Sequence, residues 1–305
     1  MIKQGEWMKQ GRIITIVSSS YQVEVEENGQ KQMYICSARG KMKQEEQTPV
    51  VGDFVQIEVV EEEKKQGVIL EILPRSNYSK RPKIANLTQL VFVISLKMPK
   101  PDLLLLDKQL AYANWLEMKP IICINKVDLG TPEVLRQIQS LYEKIGYRVL
   151  TTNAKEKEGI LELKKTLIQE VTAFSGNSGV GKSTLLNALF TEEKTLEGLV
   201  SQKIKRGKNT TTAITLYALE EGGYIADTPG FSTFSIEEIA SKQLDKCFVE
   251  FRPYIPACQY VGCSHRKEEN CGVKEAVKAG KISEERYENY CKIYEDLKEK
   301  EDHKW

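Results

Sequence analysis

Gly176-Asn177-Ser178-Gly179-Val180-Gly181-Lys182-Ser183 is a complete G-x-x-x-x-G-K-[ST] string, a pattern that lets a chain surround a phosphate group. Glycine at 176, 179 and 181 permits positive φ angles and close backbone approach, so successive N–H groups and a helix N-terminus can face an anion. Lys182 is expected to reach the outer phosphates and the Ser183 hydroxyl to ligate Mg²⁺, with Asn177, Ser178, Val180 and Thr184 completing the nucleotide-contacting run. About fifty residues later Asp227-Thr228-Pro229-Gly230 offers a carboxylate for the same Mg²⁺, through water, and the Gly230 N–H for a γ-phosphate. About fifty residues earlier stands Asn125-Lys126-Val127-Asp128. Asp128 can accept from N1–H and the 2-amino group of guanine. Adenine offers neither there and would leave a buried carboxylate unpaired. Asn125 is expected to support the base edge and the loop geometry, and the Lys126 stem to cover the ring. Thr152-Asn153-Ala154-Lys155 is a companion loop, with the Ala154 N–H directed at the guanine O6.

The elements that must carry these groups are legible. Val171–Phe174 reads as a buried strand and Lys182–Phe190 as a helix with apolar Leu185, Leu186 and Leu189, so the glycine loop falls at a strand-to-helix junction. Ile121–Ile124 is an apolar run of strand length, which sets Asn125 to Asp128 at a strand's carboxyl end, where open α/β sheets bind ligands. Leu216–Leu219 and Tyr224–Ala226 flank Gly222-Gly223 as a hairpin that delivers Asp227.

The order of these motifs is unusual: base reading first, phosphate loop second, Asp-x-x-Gly third. A nucleotide-binding sheet tolerates such a permutation when its former ends are joined briefly. The amphipathic stretch Ile160–Gln169, with Ile160, Leu161, Leu163, Leu167 and Ile168, then acts as a former last helix running straight into Val171. Whatever follows Gly230 is tethered to a segment that changes with the γ-phosphate. The long polar stretch Thr191–Thr212 is the expected second switch. Thr211, within Thr210-Thr211-Thr212, is chosen to complete the Mg²⁺ shell, while Lys203, Lys205, Arg206 and Lys208 serve phosphate, RNA or only solvent.

Cys258, Cys263, His265 and Cys271 gather three of seven cysteines and one of two histidines within fourteen residues. Such a Cys₃His set holds structural zinc with no open position. Disulfides compete, but an odd cysteine total and the absence of a signal peptide weigh against them. Cys36, Cys123, Cys247 and Cys291 read as small buried residues. Beyond the knuckle, Ser283 is a candidate N-cap, and Tyr287, Tyr290, Cys291, Tyr294 and Leu297 recur at helical spacing as core.

The first 74 residues alternate in short runs at 12–17, 21–25, 32–36, 53–59 and 67–72, the pattern of a five-stranded OB barrel. Nine Lys/Arg against twelve Asp/Glu make this part net negative, so any RNA contact must come from a local cluster. Arg39, Lys41 and Lys43 with Tyr34 nearby form the candidate, and a protein-docking or purely structural barrel is the alternative. Arg75, Lys80, Arg81 and Lys83 make a basic linker. With 305 residues and a formal net charge of +1, the chain has room for two or three domains, and its charge excludes indiscriminate polyanion binding. No apolar run approaches a membrane span, so a soluble, cytoplasmic protein is expected.

In this order, barrel, permuted motifs and knuckle resemble the small ribosomal subunit biogenesis GTPase family RsgA, also called YjeQ or YloQ, over nearly the whole chain. Ala38-Arg39-Gly40-Lys41, Val51-Gly52-Asp53, Ser178 to Ser183, Arg206-Gly207-Lys208-Asn209-Thr210-Thr211-Thr212 and Asp227-Thr228-Pro229-Gly230-Phe231 carry the resemblance. It implies a circularly permuted α/β P-loop GTPase domain at 75–240, an RNA- and ribosome-binding OB-fold barrel at 1–74 and a helical zinc domain at 241–305. It also implies GTP hydrolysis stimulated by the small subunit, contacts to 16S rRNA, a role in late subunit maturation and one structural Zn²⁺. A monomer is expected. Phe231 stands where Ras-like enzymes carry a water-orienting Gln, and Asn209 stands where the family commonly has a His. Asn209 can hydrogen-bond water but cannot act as a base near neutral pH. Slow intrinsic turnover is therefore expected, with Asn209, Thr211, Lys182 and Gly230 as the hydrolytic group. A GTP-level sensor that binds RNA, or a GTPase acting on tRNA or a protein, remains open on these residues.

Overall fold

The computed structural model describes residues 7–39, 48–191, 214–227 and 236–303. They divide into two compact units. One comprises residues 1–88, 164–174 and 190–231, and the other 89–163, 175–189 and 232–305.

The first unit opens with the expected barrel. Met8–Val17 (β1), Ser20–Glu27 (β2), Gln30–Ala38 (β3), Phe54–Glu61 (β4) and Gln66–Ile72 (β5) alternate buried and open positions. They pair in the order β1-β2-β3-β5-β4, and β4 returns to β1. That closure, with one parallel β3–β5 pair, is an OB barrel filled by Ile13, Val23, Val25, Val55, Ile57 and Ile69. Tyr34 is fully buried, its hydroxyl 2.9 Å from both the Glu27 and Glu62 carboxylates and its ring beneath Lys9 and Lys65. It has no free face for a base, which corrects its place in the candidate RNA cluster. Arg39 is exposed and pairs with Glu58 at 3.2 Å; Lys41 and Lys43 lie outside the described residues.

The basic linker is also partly structural. Arg75 forks onto buried Asp53 (Nε–Oδ1 2.7 Å, a terminal nitrogen to Oδ2 2.8 Å), and Asp53 Oδ2 accepts from the Val50 N–H at 2.8 Å. Next to it Gly52 has φ +92°, and a Cβ there would lie 2.0 Å from the Ala85 carbonyl oxygen. The Val51-Gly52-Asp53 signature thus fastens the barrel to the short hairpin Tyr78–Lys80 (β6) and Lys83–Ala85 (β7).

The nucleotide-domain elements follow as Gln89–Ser95 (β8), Leu103–Trp115 (α1), Lys119–Asn125 (β9), Pro132–Glu143 (α2), Arg148–Thr152 (β10), Ile160–Leu167 (α3), Val171–Ser175 (β11), Lys182–Thr191 (α4), Thr215–Ala218 (β12) and Tyr224–Asp227 (β13). In the second unit β10, β9 and β8 form a parallel set, and every residue of β8 is buried, as parallel strands covered on both faces require. Asp102 caps α1, and Thr131 with Pro132 starts α2. In the first unit β11 pairs parallel with β13, β13 antiparallel with β12, and β12 reaches β1. Only Ile168 to Glu170 separate α3 from β11, the brief junction that the permuted order demands. Leu163 and Leu167 are buried, whereas Leu161, read as apolar face, is 61% exposed.

The C-terminal part comprises the short helix Leu244–Cys247 (α5), Gly272–Lys278 (α6) and Glu284–Asp302 (α7). They enclose a core with Phe248, Phe251, Tyr290, Ile293 and Leu297 that also takes in Ala111 and Tyr112 of α1. Ser283 sits at the N-cap of α7 without a side-chain capping bond. The buried face is Arg286, Asn289, Tyr290, Ile293 and Leu297. Tyr287, Cys291 and Tyr294 are only half-buried, so the stripe expected from sequence is rotated by about one residue. Among the described residues no helix is long and apolar enough to cross a membrane.

Candidate guanine-nucleotide site and metal centre

The phosphate loop leaves the buried end of β11 at Ser175, whose Oγ receives a hydrogen bond from Gln109 Nε2 of α1 at 3.0 Å. Gly176 has φ +141° and a Cβ there would meet the Val93 carbonyl at 2.1 Å; Gly181 has φ +100° and its Cβ would lie 2.3 Å from Asn125 Nδ2. Conformation and space both demand glycine at these two positions. Ser178, Gly179, Ser183 and Thr184 are exposed along the rim, while Val180 is buried. Lys182 turns onto the loop itself, its Nζ donating to the Asn177 carbonyl at 2.9 Å and to that of Gly176. Burial lowers its pKa, so a phosphate would supply the charged acceptor that the carbonyls only approximate.

Asn125 ends β9 fully buried and joins three segments. Its Oδ1 accepts from Thr152 Oγ1 at 3.0 Å and from the Ala154 N–H at 3.1 Å, and its Nδ2 donates to the Val180 carbonyl at 2.9 Å. The Ala154 N–H, expected to face guanine O6, is therefore held by Asn125. Lys126 adopts φ +58° and donates to the Met98 carbonyl at 2.8 Å and to that of Gly179. Asp128 lies exposed in the turn Val127–Leu129. Asn153 is buried and Lys155 exposed. Asp227 is the last residue of β13, half-buried and paired across the hairpin with Thr215. Asn209, Thr211 and Gly230 lie outside the described residues, as do Lys203, Lys205, Arg206, Lys208 and Phe231.

The knuckle residues converge. One ligand atom from each of Cys258, Cys263, His265 and Cys271 lies within 4.8 Å of the others, and the cysteines are free thiols. Cys258 Sγ is 3.9 Å from Cys271 Sγ, and His265 Nδ1 is 3.5 Å and 3.3 Å from those sulfurs. Tetrahedral zinc with the usual Zn–S and Zn–N lengths has edges of about 3.8 Å between sulfurs and about 3.6 Å from sulfur to nitrogen, so the donor set fits. His265 Nε2 faces Asp245 Oδ2 at 3.4 Å, the outer carboxylate that orients a metal-bound imidazole. Glu268 braces the loop by accepting from the Ser264, Arg266 and Lys267 N–H groups at 2.8–3.1 Å. No spacing rule pointed to Asp245. Arg286 was more accessible, since it stands in helical register with Tyr290, Ile293 and Leu297. It is buried, forked onto Glu250 at 2.7 and 3.0 Å and bonded to Asp107 of α1.

The model of the RsgA GTPase family matches residues 72–237, and that of the RsgA N-terminal domain matches residues 10–69. The chain belongs to the RsgA family. A protein of Alkaliphilus metalliredigens named small ribosomal subunit biogenesis GTPase RsgA is 39% identical over 95% of this chain and 98% of its own length. The RsgA of Clostridium botulinum strain Eklund 17B is 43% identical over 97% and 99%. Among solved structures, YjeQ from Thermotoga maritima superposes with a TM-score of 0.82 at 36% identity, covering 95% of this chain and 98% of that one. YloQ, described as a circularly permuted GTPase, gives 0.81 at 32%, covering 98% of each. As an RsgA-family member the chain is a GTP-hydrolysing enzyme with a permuted GTPase fold, which accounts for the reversed motif order.

Proposed function

We propose that this enzyme acts in late maturation of the small ribosomal subunit, binding 16S rRNA and coupling GTP hydrolysis to its own release. The observation that carries the reading is near full-length similarity to relatives bearing that name, on a chain whose base-reading and phosphate-binding segments are joined through Asn125. Gly176 to Thr184 cradle the phosphates, with Lys182 leaving its carbonyl partners for the β- and γ-oxygens. Asp128 reads guanine through its two acceptor oxygens and is desolvated only when a base covers it. Lys126 flanks the ring, and the 153–155 loop borders the base, with the Ala154 N–H shared between Asn125 and guanine O6.

Ser183, Asp227 and Thr211 would supply oxygen donors for Mg²⁺, which would neutralise charge developing on the phosphates. Gly230 would offer its N–H to the γ-phosphate. With Phe231 unable to orient water and Asn209 unable to act as a base, intrinsic turnover is slow and the subunit supplies the ordering. Cys258, Cys263, His265 and Cys271 would hold a zinc ion with no open position, in a structural role. The working division is a barrel at 1–74, a GTPase domain at 75–240 and a zinc domain at 241–305, in a monomeric cytoplasmic protein.

Co-sedimentation with purified small subunits in a non-hydrolysable GTP analogue tests the assignment, together with single-turnover hydrolysis with and without subunits. Binding only to large subunits or to tRNA, or equal fast rates in both conditions, would overturn it.

A further inference from the structure

We infer that Gln109, on helix α1, is a positioning residue for the phosphate loop. The inference rests on the reading of residues 176–184 as that loop, and the residues present fit a phosphate. At Gly176 and Gly181 φ is positive and no Cβ can be accommodated, which leaves the bare backbone that wrapping an anion requires. Gln109 is 2% exposed and Ser175 is fully buried. Gln109 Nε2 donates to Ser175 Oγ at 3.0 Å across 66 residues of chain. Gln109 also lines a small cavity together with Gly176, Asn177 and Val180, so its amide stands against the loop itself. All of these residues belong to the second unit.

Ser175 is where the loop takes its direction. The next residue, Gly176, turns at φ +141° with no room for a Cβ beside the Val93 carbonyl, and the carbonyls of Gly176 and Asn177 receive Lys182 Nζ. A rotation at Ser175 therefore carries into the groups that would face the phosphates. Helix α1 gives the restraining bond a firm support. Two residues before Gln109, buried Asp107 accepts from the Tyr142 hydroxyl and from Asn289 Nδ2, each at 2.8 Å, and from Arg286. Three partners thus fix the helix where the Gln109 side chain leaves it. If Gln109 were only a buried polar side chain satisfied by the nearest hydroxyl, its loss would lower stability and leave nucleotide affinity alone.

The test is the affinity of the full-length chain for GDP and for inosine diphosphate, by displacement of a fluorescent GDP analogue at a temperature where circular dichroism shows each variant folded. Gln109→Met keeps side-chain length and helix propensity and removes the amide. It should lower GDP affinity about three- to tenfold, the effect of one lost hydrogen bond, and lower inosine diphosphate affinity by the same factor, because the base is read elsewhere. Ser175→Ala should do likewise, and the double variant should lose little more than either single. Leu110→Val, at a buried position of the same helix, should lower stability without changing GDP affinity. Wild-type GDP affinity in either folded single variant, a changed ratio of the two affinities, an equal loss in Leu110→Val, or losses that add fully in the double variant overturn the inference. Lys182→Ala separates the inference from the reading it rests on. If Lys182→Ala weakens GDP binding while Gln109→Met does not, the inference alone falls; if Lys182→Ala leaves GDP affinity unchanged, both fall.

Discussion

Asn125 Nδ2 donates to the Val180 carbonyl at 2.9 Å across 55 residues of chain. This bond ties the segment proposed to read the base to the loop proposed to hold the phosphates, whatever their order in the chain. The same side chain holds Thr152 and Ala154, so three loops share one buried amide.

Asn125→Ala should therefore cost about 2–4 kcal/mol in stability, since one buried acceptor and two buried donors lose their partner. GDP affinity should fall at least about tenfold with it, as 1.4 kcal/mol corresponds to one decade. Gly181→Ala attacks the same contact from the loop side, because its Cβ would lie 2.3 Å from Nδ2. The double variant should lose less than the sum of the singles. Denaturant unfolding and titration with a fluorescent GDP analogue measure both effects.

The purified protein should contain one zinc ion per chain by elemental analysis, and chelation should melt the core around Phe248, Phe251 and Tyr290. Alkylation after chelation should reach Cys258, Cys263 and Cys271. Cys36 and Cys123 should stay protected, because burial pushes each thiol up to about 12. Asp245→Asn should weaken zinc binding by about 10- to 100-fold, the usual effect of losing the carboxylate behind a ligating imidazole. Unaltered zinc affinity would show that the 3.4 Å contact to His265 does no orienting.

Arg286→Met should destabilise the protein by about 3–5 kcal/mol, because Asp107 and Glu250 would remain buried without their cation. Lysine should not rescue it, since a point charge cannot reproduce the fork on Glu250 while also reaching Asp107. Helix α1 carries both Asp107 and Gln109, and Gln109 holds Ser175 one residue before the phosphate loop. Weaker GDP binding should accompany the loss of stability. Intact GDP affinity in a destabilised Arg286→Met variant would show that α1 does not transmit the change.

In the barrel, hydrogen bonds from Lys65 and Lys9 lower the Glu62 pKa from 4.5 to about 2. A depressed carboxylate stabilises the fold fully above its ordinary value and loses that contribution as pH falls through about 4.5 towards about 2. The Glu62 side chain is 45% exposed, so solvent screening keeps the effect below ~1 kcal/mol. Glu62→Gln should flatten the acid limb of the stability curve and leave stability near pH 7 only slightly lower. Thermal melts between pH 2 and pH 6 would show it.

Motif spacing and strand periodicity sufficed for the permuted GTPase fold, the five barrel strands and the convergence of the four knuckle side chains, because each is written in local residue types whose geometry is local. The Cys₃His set lies within fourteen residues and the glycine loop within eight. Tyr34 shows where such reading stops. An aromatic among basic residues resembles a base-stacking platform, but its burial depends on how β3 closes against Lys9, Glu62 and Lys65, residues distant in sequence. Leu161 and the rotated face of α7 depart from the periodic pattern for a similar reason, since burial depends on neighbours that periodicity does not name.

Residue order alone determined the nucleotide chemistry, the rearranged topology and the four side chains of the Cys₃His cluster, since hydrogen-bonding groups, glycine conformations and thiol donors are properties of individual residues at short spacing. Tertiary structure alone decided that Asn125 is a junction of three loops, that Arg286 joins the C-terminal helix to α1, and that Gln109 holds Ser175 just before the phosphate loop. Each of these is a buried polar contact between segments far apart in the chain, and its strength comes from exclusion of water, which only the packed fold provides.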